Sequence, residues 1–188
     1  MANILPAPLR RRLIGWVGRR GFPVLYEGDG DSATRRLGPE DDHVEDWRRT
    51  ALPNLHTVFS WFDGYAAYQL DDDEFAGRID EQPDAVEELL WDRGCCRNPL
   101  AALKTDPSGD VEVGSWMYRE EPTADRQVHV MLFRADGDGT DLYAHEEYSA
   151  GHPDPAVAIK HYEAEDYDPD AGVSWVQEHL PVEDARGP

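Results

Sequence analysis

Histidines and carboxylates gather in the last third of this chain: His129, His145, Glu146, Glu147, His152 and His161. A histidine beside a carboxylate can work as a general base or ligate a metal ion. Which of these residues can meet depends on strand register. The stretch ADGDGTD (135–141) separates two alternating runs, QVHVMLFR and LYAHEEYS, and so reads as the turn of a β-hairpin. A four-residue turn pairs Ala135 with Thr140. Arg134 then faces Asp141, Phe133 faces Leu142, Met131 faces Ala144, Val130 faces His145 and His129 faces Glu146. This register predicts one apolar face of Met131, Phe133, Leu142 and Ala144, with His129 and Glu146 at its end. The candidate catalytic residues are therefore His129, His145 and Glu146, and the chemistry they suggest is hydrolytic.

The rest of an active site is not written in any motif. HExxH, a Gly-rich phosphate loop and GxSxG are all absent. Ser115 is a possible nucleophile by type, but no base lies near it in sequence. The DGDGT core of the turn matches part of a calcium-binding EF-hand loop, with Asp136, Asp138 and Thr140 at ligand positions. The match fails at the first ligand position (Arg134), at the apolar anchor (Asp141) and at the last position (His145), where calcium needs a bidentate Glu. Asp166, Asp168 and Asp170 are better explained as the start of the last helix. The sequence thus assigns no metal ligand and no cofactor.

The elements that must position these residues follow from periodicity. Pro83 suits the first position of a helix and Gly94 its stop, with Val86, Leu89 and Leu90 as the buried stripe over 83–93. Asp168 and Pro169 open a closing helix that Pro181 ends. Helical signals also cover 39–50, and the acidic DDDE at 71–74 opens a short helix. Strand-like runs at 100–105, 111–120, 127–134 and 142–149 are joined by short linkers, which predicts an antiparallel meander. Further strands are expected at 22–27 and in a hairpin around Asp63-Gly64. The expected fold is α+β, an antiparallel meander of about four strands packed against helices, preceded by an N-terminal helix and hairpin region. The expected division is 1–82 for that region and 83–188 for the α+β domain, or one continuous domain.

The composition names a solvent. Thirty-nine acidic and 18 basic residues give a net charge of −21, and all but two of the basic residues (Lys104 and Lys160) are arginine. Six tryptophans and 40% apolar residues still allow a packed core. At molar salt the Debye length is about 3 Å, so such a surface scarcely repels itself. A halophilic origin is the expectation. The adjacent Cys95 and Cys96 have neither metal-ligand nor redox-motif spacing.

Residues 8–20 pattern as an amphipathic helix with Leu9, Leu13, Trp16 and Val17 on one face and arginines largely off it. With Trp61 and Phe62 at the hairpin near Asp63-Gly64, these are the candidate partner-binding residues. Nucleic acid is a poor partner at molar salt, where counterion release yields little. No segment reaches the length of a membrane span, and the arginine-rich start lacks the apolar run and cleavage site of an export signal.

From Asn98 onward the pieces RNPLAALK, VEVGSWMYR, QVHVMLF, LYAHEEYS, AIKHY and GVSWVQEHL resemble small acidic proteins of haloarchaea and of their viruses. The likeness covers the C-terminal half, and no activity is attached to it. It implies a halophilic host cytoplasm or a virion as location. It transfers no site residue. The leading expectation is a non-enzymatic interaction or assembly protein, such as a virion component, with protein partners or a homo-oligomer. The alternatives are a hydrolase-type enzyme using the His/Glu site of the 127–148 hairpin, and an acidic DNA mimic or nucleic-acid regulator.

Overall fold

Hydrophobic alternation in the C-terminal half resolves into one antiparallel sheet whose two faces are buried differently. The computed structural model describes residues 37–41, 43–50, 69–99, 101, 103–121, 123–150, 152, 154–162 and 165–183. The elements in chain order are α1 (His43–Thr50), β1 (Phe75–Ile79), α2 (Pro83–Asp92), β2 (Cys96–Arg97), β3 (Gly114–Tyr118), β4 (Arg126–Arg134), β5 (Thr140–Tyr148), α3 (Pro155–Tyr162) and α4 (Pro169–His179). A 3-10 turn, Asp72–Glu74, leads into β1. The sheet order is β1-β5-β4-β3-β2, and every pairing is antiparallel. The α+β class and the meander β3-β4-β5 are as the patterning predicts. Among the described residues the sheet has five strands, because β1 adds to one edge and the short β2 to the other. Among the described residues of 100–105, only Thr105 forms bridges, to Gln69 and to Val111.

Strand β1 precedes residue 83 and pairs with β5, so the expected border at 82/83 falls within one sheet. The expected features over 1–36 and 51–68, including Leu9, Leu13, Trp16, Val17, Trp61 and Phe62, lie outside the described residues.

The apolar face of the sheet carries Trp116, Val128, Val130, Leu132, Leu142 and Ala144, packed under Val86 and Leu90 of α2 and Val176 of α4. Helix α2 starts where Pro83 needs no N–H partner, and its Val86 and Leu90 are fully buried. Helix α4 starts at Asp168, whose side chain accepts the Ala171 N–H at 3.0 Å. Gly172 decides how close α4 can come. A Cβ there would sit 2.2 Å from the His145 Cα, so only glycine allows the helix backbone to rest on β5 at that point.

The hairpin register differs from the predicted one. Arg134 pairs with Thr140, Phe133 with Asp141, Leu132 with Leu142 and His129 with His145. The turn is therefore five residues, 135–139, closed by the Ala135 N–H to the Gly139 carbonyl at 3.0 Å. Gly137 supplies the left-handed position at φ 81°. A slip of one residue changes every cross-strand partner. The predicted apolar face splits: Leu142 and Ala144 face α2 and α4, while Met131 and Phe133 join Tyr143 and Leu70 on the other side.

Candidate functional site

The second face of the sheet changes character along its length. Near the turn it is aromatic, with Tyr143 edge-on to both Phe75 and Phe133 at 5.3 and 5.2 Å. Farther from the turn it carries Ser115 from β3, Gln127 and His129 from β4, and His145 and Glu147 from β5. Register places them. His129 is directly opposite His145, Gln127 is directly opposite Glu147, and a period of two puts His145 and Glu147 on one face.

Three side chains converge. His129 Nδ1 lies 3.2 Å from His145 Nε2, His129 Nδ1 lies 3.7 Å from Glu147 Oε1, and His145 Nε2 lies 3.5 Å from Glu147 Oε2. The two imidazole planes stand at 88°, so they meet edge to face and do not stack.

Each of the three is also held from behind. His129 Nε2 shares a 2.7 Å hydrogen bond with Ser115 Oγ. His145 Nδ1 lies 2.9 Å from Glu74 Oε1, and the Tyr167 hydroxyl donates to the same oxygen. The second oxygen of Glu74 accepts the Asp71 N–H at 2.9 Å, which ties the carboxylate to the 3-10 turn. Glu147 Oε1 accepts from Gln127 Nε2 at 2.8 Å, and His161 Nδ1 of α3 approaches Glu147 Oε2 at 3.0 Å. Gln127 in turn accepts from Arg119 at 2.7 and 3.0 Å. Tyr167 reaches Glu74 because Asp168, next to it, exchanges both backbone hydrogen bonds with Glu146 on the free half of the β5 edge.

Burial sets the protonation states. Desolvation pushes His129 well below the ordinary histidine range, and the charges of Lys104, Arg48 and His145 reinforce it against the opposing pull of Glu147. His145 is shifted the other way. Burial lowers it, but hydrogen bonds and charge from Glu147 and Glu74 prevail and raise it. Burial raises Glu147 as well, yet His161 and His145 more than offset it and hold the carboxylate well below its usual range. Glu74 is lowered too, since its bonds from His145, Tyr167 and the Asp71 amide outweigh desolvation. Burial lowers Lys104 toward its neutral form. The cluster thus holds one imidazole pushed toward its neutral form, one pushed toward its protonated form, and two carboxylates pushed toward ionisation.

The cluster has an inner and an outer end. The side chains of His129 and His145 are 2% and 1% exposed, whereas Glu147 is 12% and His161 21% exposed. A cavity of about 570 Å³ lies nearby, lined by residues that include Asp73, Phe75, Gly77, Val173 and Gln177. None of the three convergent residues lines it. Its lining comes nearest to the cluster in sequence at Asp73 and Phe75, the chain neighbours of Glu74.

Of the predicted site residues, His129 and His145 meet, and Glu146 does not join them. Glu146 points to Arg126 at 2.8 Å on the other side of the strand, and Glu147 takes its place. The physical reason is the five-residue turn, which moves every residue of β5 by one partner. Glu74, Tyr167, Ser115 and His161 could not be found from spacing. Alternation within HEE does mark Glu147 as sharing a face with His145. Among the described residues His129, His145 and Glu147 form a group able to hold a metal ion, which the failed EF-hand pattern did not suggest. No helix among the described residues is long and apolar enough to cross a membrane. Comparison with protein-family models, with curated proteins and with solved structures finds no match for this chain.

Proposed function

We propose that the chain is a hydrolase-type enzyme whose working groups are His129, His145 and Glu147 on the β4–β5 hairpin. The observation that carries this reading is convergence. Three side chains that can accept a proton aim at one point, 3.2 to 3.7 Å from one another, and each is steadied from behind. The buried Arg97–Glu87 pair is, by contrast, one carboxylate set against one guanidinium through two bonds of 2.9 and 2.7 Å. Convergence of this kind is what positioning a reacting group requires. The two histidines also have environments that push their pKa values apart, the pattern of an acid–base pair. In hydrolysis His129 would take the proton of the attacking water, and protonated His145 would return one to the leaving group. The more exposed Glu147–His161 end is where a substrate would approach.

The interaction or assembly reading draws on Leu9, Leu13, Trp16, Val17, Trp61 and Phe62, which lie outside the described residues. Among the described residues Val111 is the one exposed large apolar side chain, so no apolar docking face supports that reading there.

The test is turnover of chromogenic p-nitrophenyl ester and phosphate substrates by the full chain in molar KCl. His129→Ala should lower the rate by about 10²–10⁴-fold, the span of general acid–base catalysis. Hydrolysis no faster than buffer, or a rate unchanged in His129→Ala, would remove the proposal.

A further inference from the structure

We propose that His129 Nδ1, His145 Nε2 and the Glu147 carboxylate bind one divalent transition-metal ion of the zinc class. The inference deepens the hydrolytic reading, on which its catalytic meaning rests, while metal binding itself is measured separately.

Separation is the first argument. The three groups stand 3.2, 3.5 and 3.7 Å apart, the two Glu147 distances running to its two different oxygens. Ligands about 2.0–2.2 Å from a tetrahedral zinc lie about 3.3–3.6 Å from one another, so small adjustments bring one atom of each group onto a single ion.

The donors' outward atoms give the second argument. A metal-bound imidazole characteristically passes its other ring nitrogen to a carboxylate, carbonyl or hydroxyl, which fixes the tautomer and aims the ring. His145 does this with Glu74, at 2.9 Å, and His129 does it with Ser115, at 2.7 Å. Gln127 donates to the Glu147 carboxylate at 2.8 Å, and His161 Nδ1 lies 3.0 Å from both that carboxylate and the Tyr148 carbonyl. The fully buried Ser115 hydroxyl is then a positioning group for His129 and not a nucleophile.

Chemistry and scaffold give the third. Two imidazoles and one carboxylate suit zinc, cobalt, nickel or iron and not the all-oxygen preference of calcium or magnesium. All three ligands stand on adjacent strands inside the sheet, each paired on both edges. Three protein ligands leave a fourth position, the pattern of catalytic rather than closed structural sites. When bound, such an ion activates a water at neutral pH, which would replace His129 as the source of the nucleophile.

The experiment uses untagged full chain, stripped with chelator and returned to molar KCl. Titration with Zn²⁺ should give one saturable equivalent, and Co²⁺ should give the visible absorption of a four-coordinate site. Glu147→Gln and His129→Ala should abolish that site. Ser115→Ala and Glu74→Gln, which leave the three ligands in place, should weaken it about 10–100-fold. Cys96→Ser should change nothing, which separates this site from adventitious thiolate binding. Circular dichroism identifies a variant that fails to fold, and Ser115→Ala, the smallest change, keeps the test available in that case. No saturable equivalent in the folded native chain, or one that survives Glu147→Gln together with His129→Ala, would overturn the inference. Hydrolysis by chelator-stripped protein would overturn the metal's catalytic part and leave the acid–base reading standing. Metal binding without hydrolysis would do the reverse.

Discussion

The two faces of the sheet solve burial in different ways. Under α2 and α4 the face is apolar, and its buried carboxylate is closed on one guanidinium. Glu87 takes two bonds of Arg97, whose others go to the Gly38 and Pro39 carbonyls at 2.9 and 3.0 Å, and Trp116 Nε1 adds a further contact to Glu87 at 3.4 Å. On the opposite face the polar groups form a chain running from Ser115 through His129, His145 and Glu74 to Tyr167, with Glu147 drawn in from the side. One face stabilises the fold by excluding water. The other holds ionisable groups in low dielectric at the cost of desolvation, which a structural role alone does not require. The contrast teaches that the apolar face sets the strand spacing that makes the polar face specific.

The comparison breaks hardest at the apolar face. Trp116 is fully buried among Val130, Leu132 and the α2 stripe. Trp116→Ala should destabilise by about 3–5 kcal/mol, read from chemical denaturation in molar KCl. Glu87→Ala should cost a comparable ~3–5 kcal/mol, because it leaves the buried Arg97 without its carboxylate. If Glu87→Ala were nearly neutral, the Arg97–Glu87 pair would not be what holds this side. Gly172→Ala should separate the faces in another way. With a Cβ 2.2 Å from the His145 Cα, α4 must lift, so melting temperature and any metal binding should fall together.

At the polar face the expected effect is smaller and conditional. Zinc at 100 times its dissociation constant should add about 2.7 kcal/mol of stability, and chelator should remove it. Glu147→Gln should abolish this gain while changing the metal-free protein less than Glu87→Ala does. Equal loss in both would place Glu147 among the structural pairs.

Smallest of all is the residue the sequence favoured. Glu146 and Arg126 form a pair whose side chains are 33% and 28% exposed. Glu146→Gln should change stability by no more than about 1 kcal/mol and leave metal binding and hydrolysis as they are. A large loss of activity in Glu146→Gln would restore the four-residue turn. Salt tests the acidic surface common to both faces. With a net charge of −21, lowering KCl from molar toward 0.1 M lengthens the Debye length from about 3 to about 10 Å and should lower the melting temperature. A melting temperature independent of salt would count against a halophilic origin.

Much of the fold was legible from local chemistry. Pro83 and Gly94 bracket α2, Asp168 and Pro169 cap α4, and alternation marks β3, β4 and β5, because these signals act within a few residues of chain. Periodicity gives no signal for helix α3, and it marks 100–105 as a strand although, among the described residues there, only Thr105 forms bridges. A short apolar run is ambiguous until the sheet shows which edges remain free.

The sequence by itself determined that His129 and His145 would lie on neighbouring strands, that Asp-Gly-Asp-Gly would turn the chain between them, and that Glu147 would share a face with His145. Tertiary structure decided which carboxylates meet them. Gly137 in the left-handed region makes the turn five residues, and that single added residue removes Glu146 from the site. Glu74 reaches His145 from 71 residues away because β1 closes the edge of β5, and Tyr167 arrives because Asp168 pairs with Glu146 on the rest of that edge. Contacts across such distances depend on which backbone edges are left to be hydrogen-bonded. No local propensity encodes that choice.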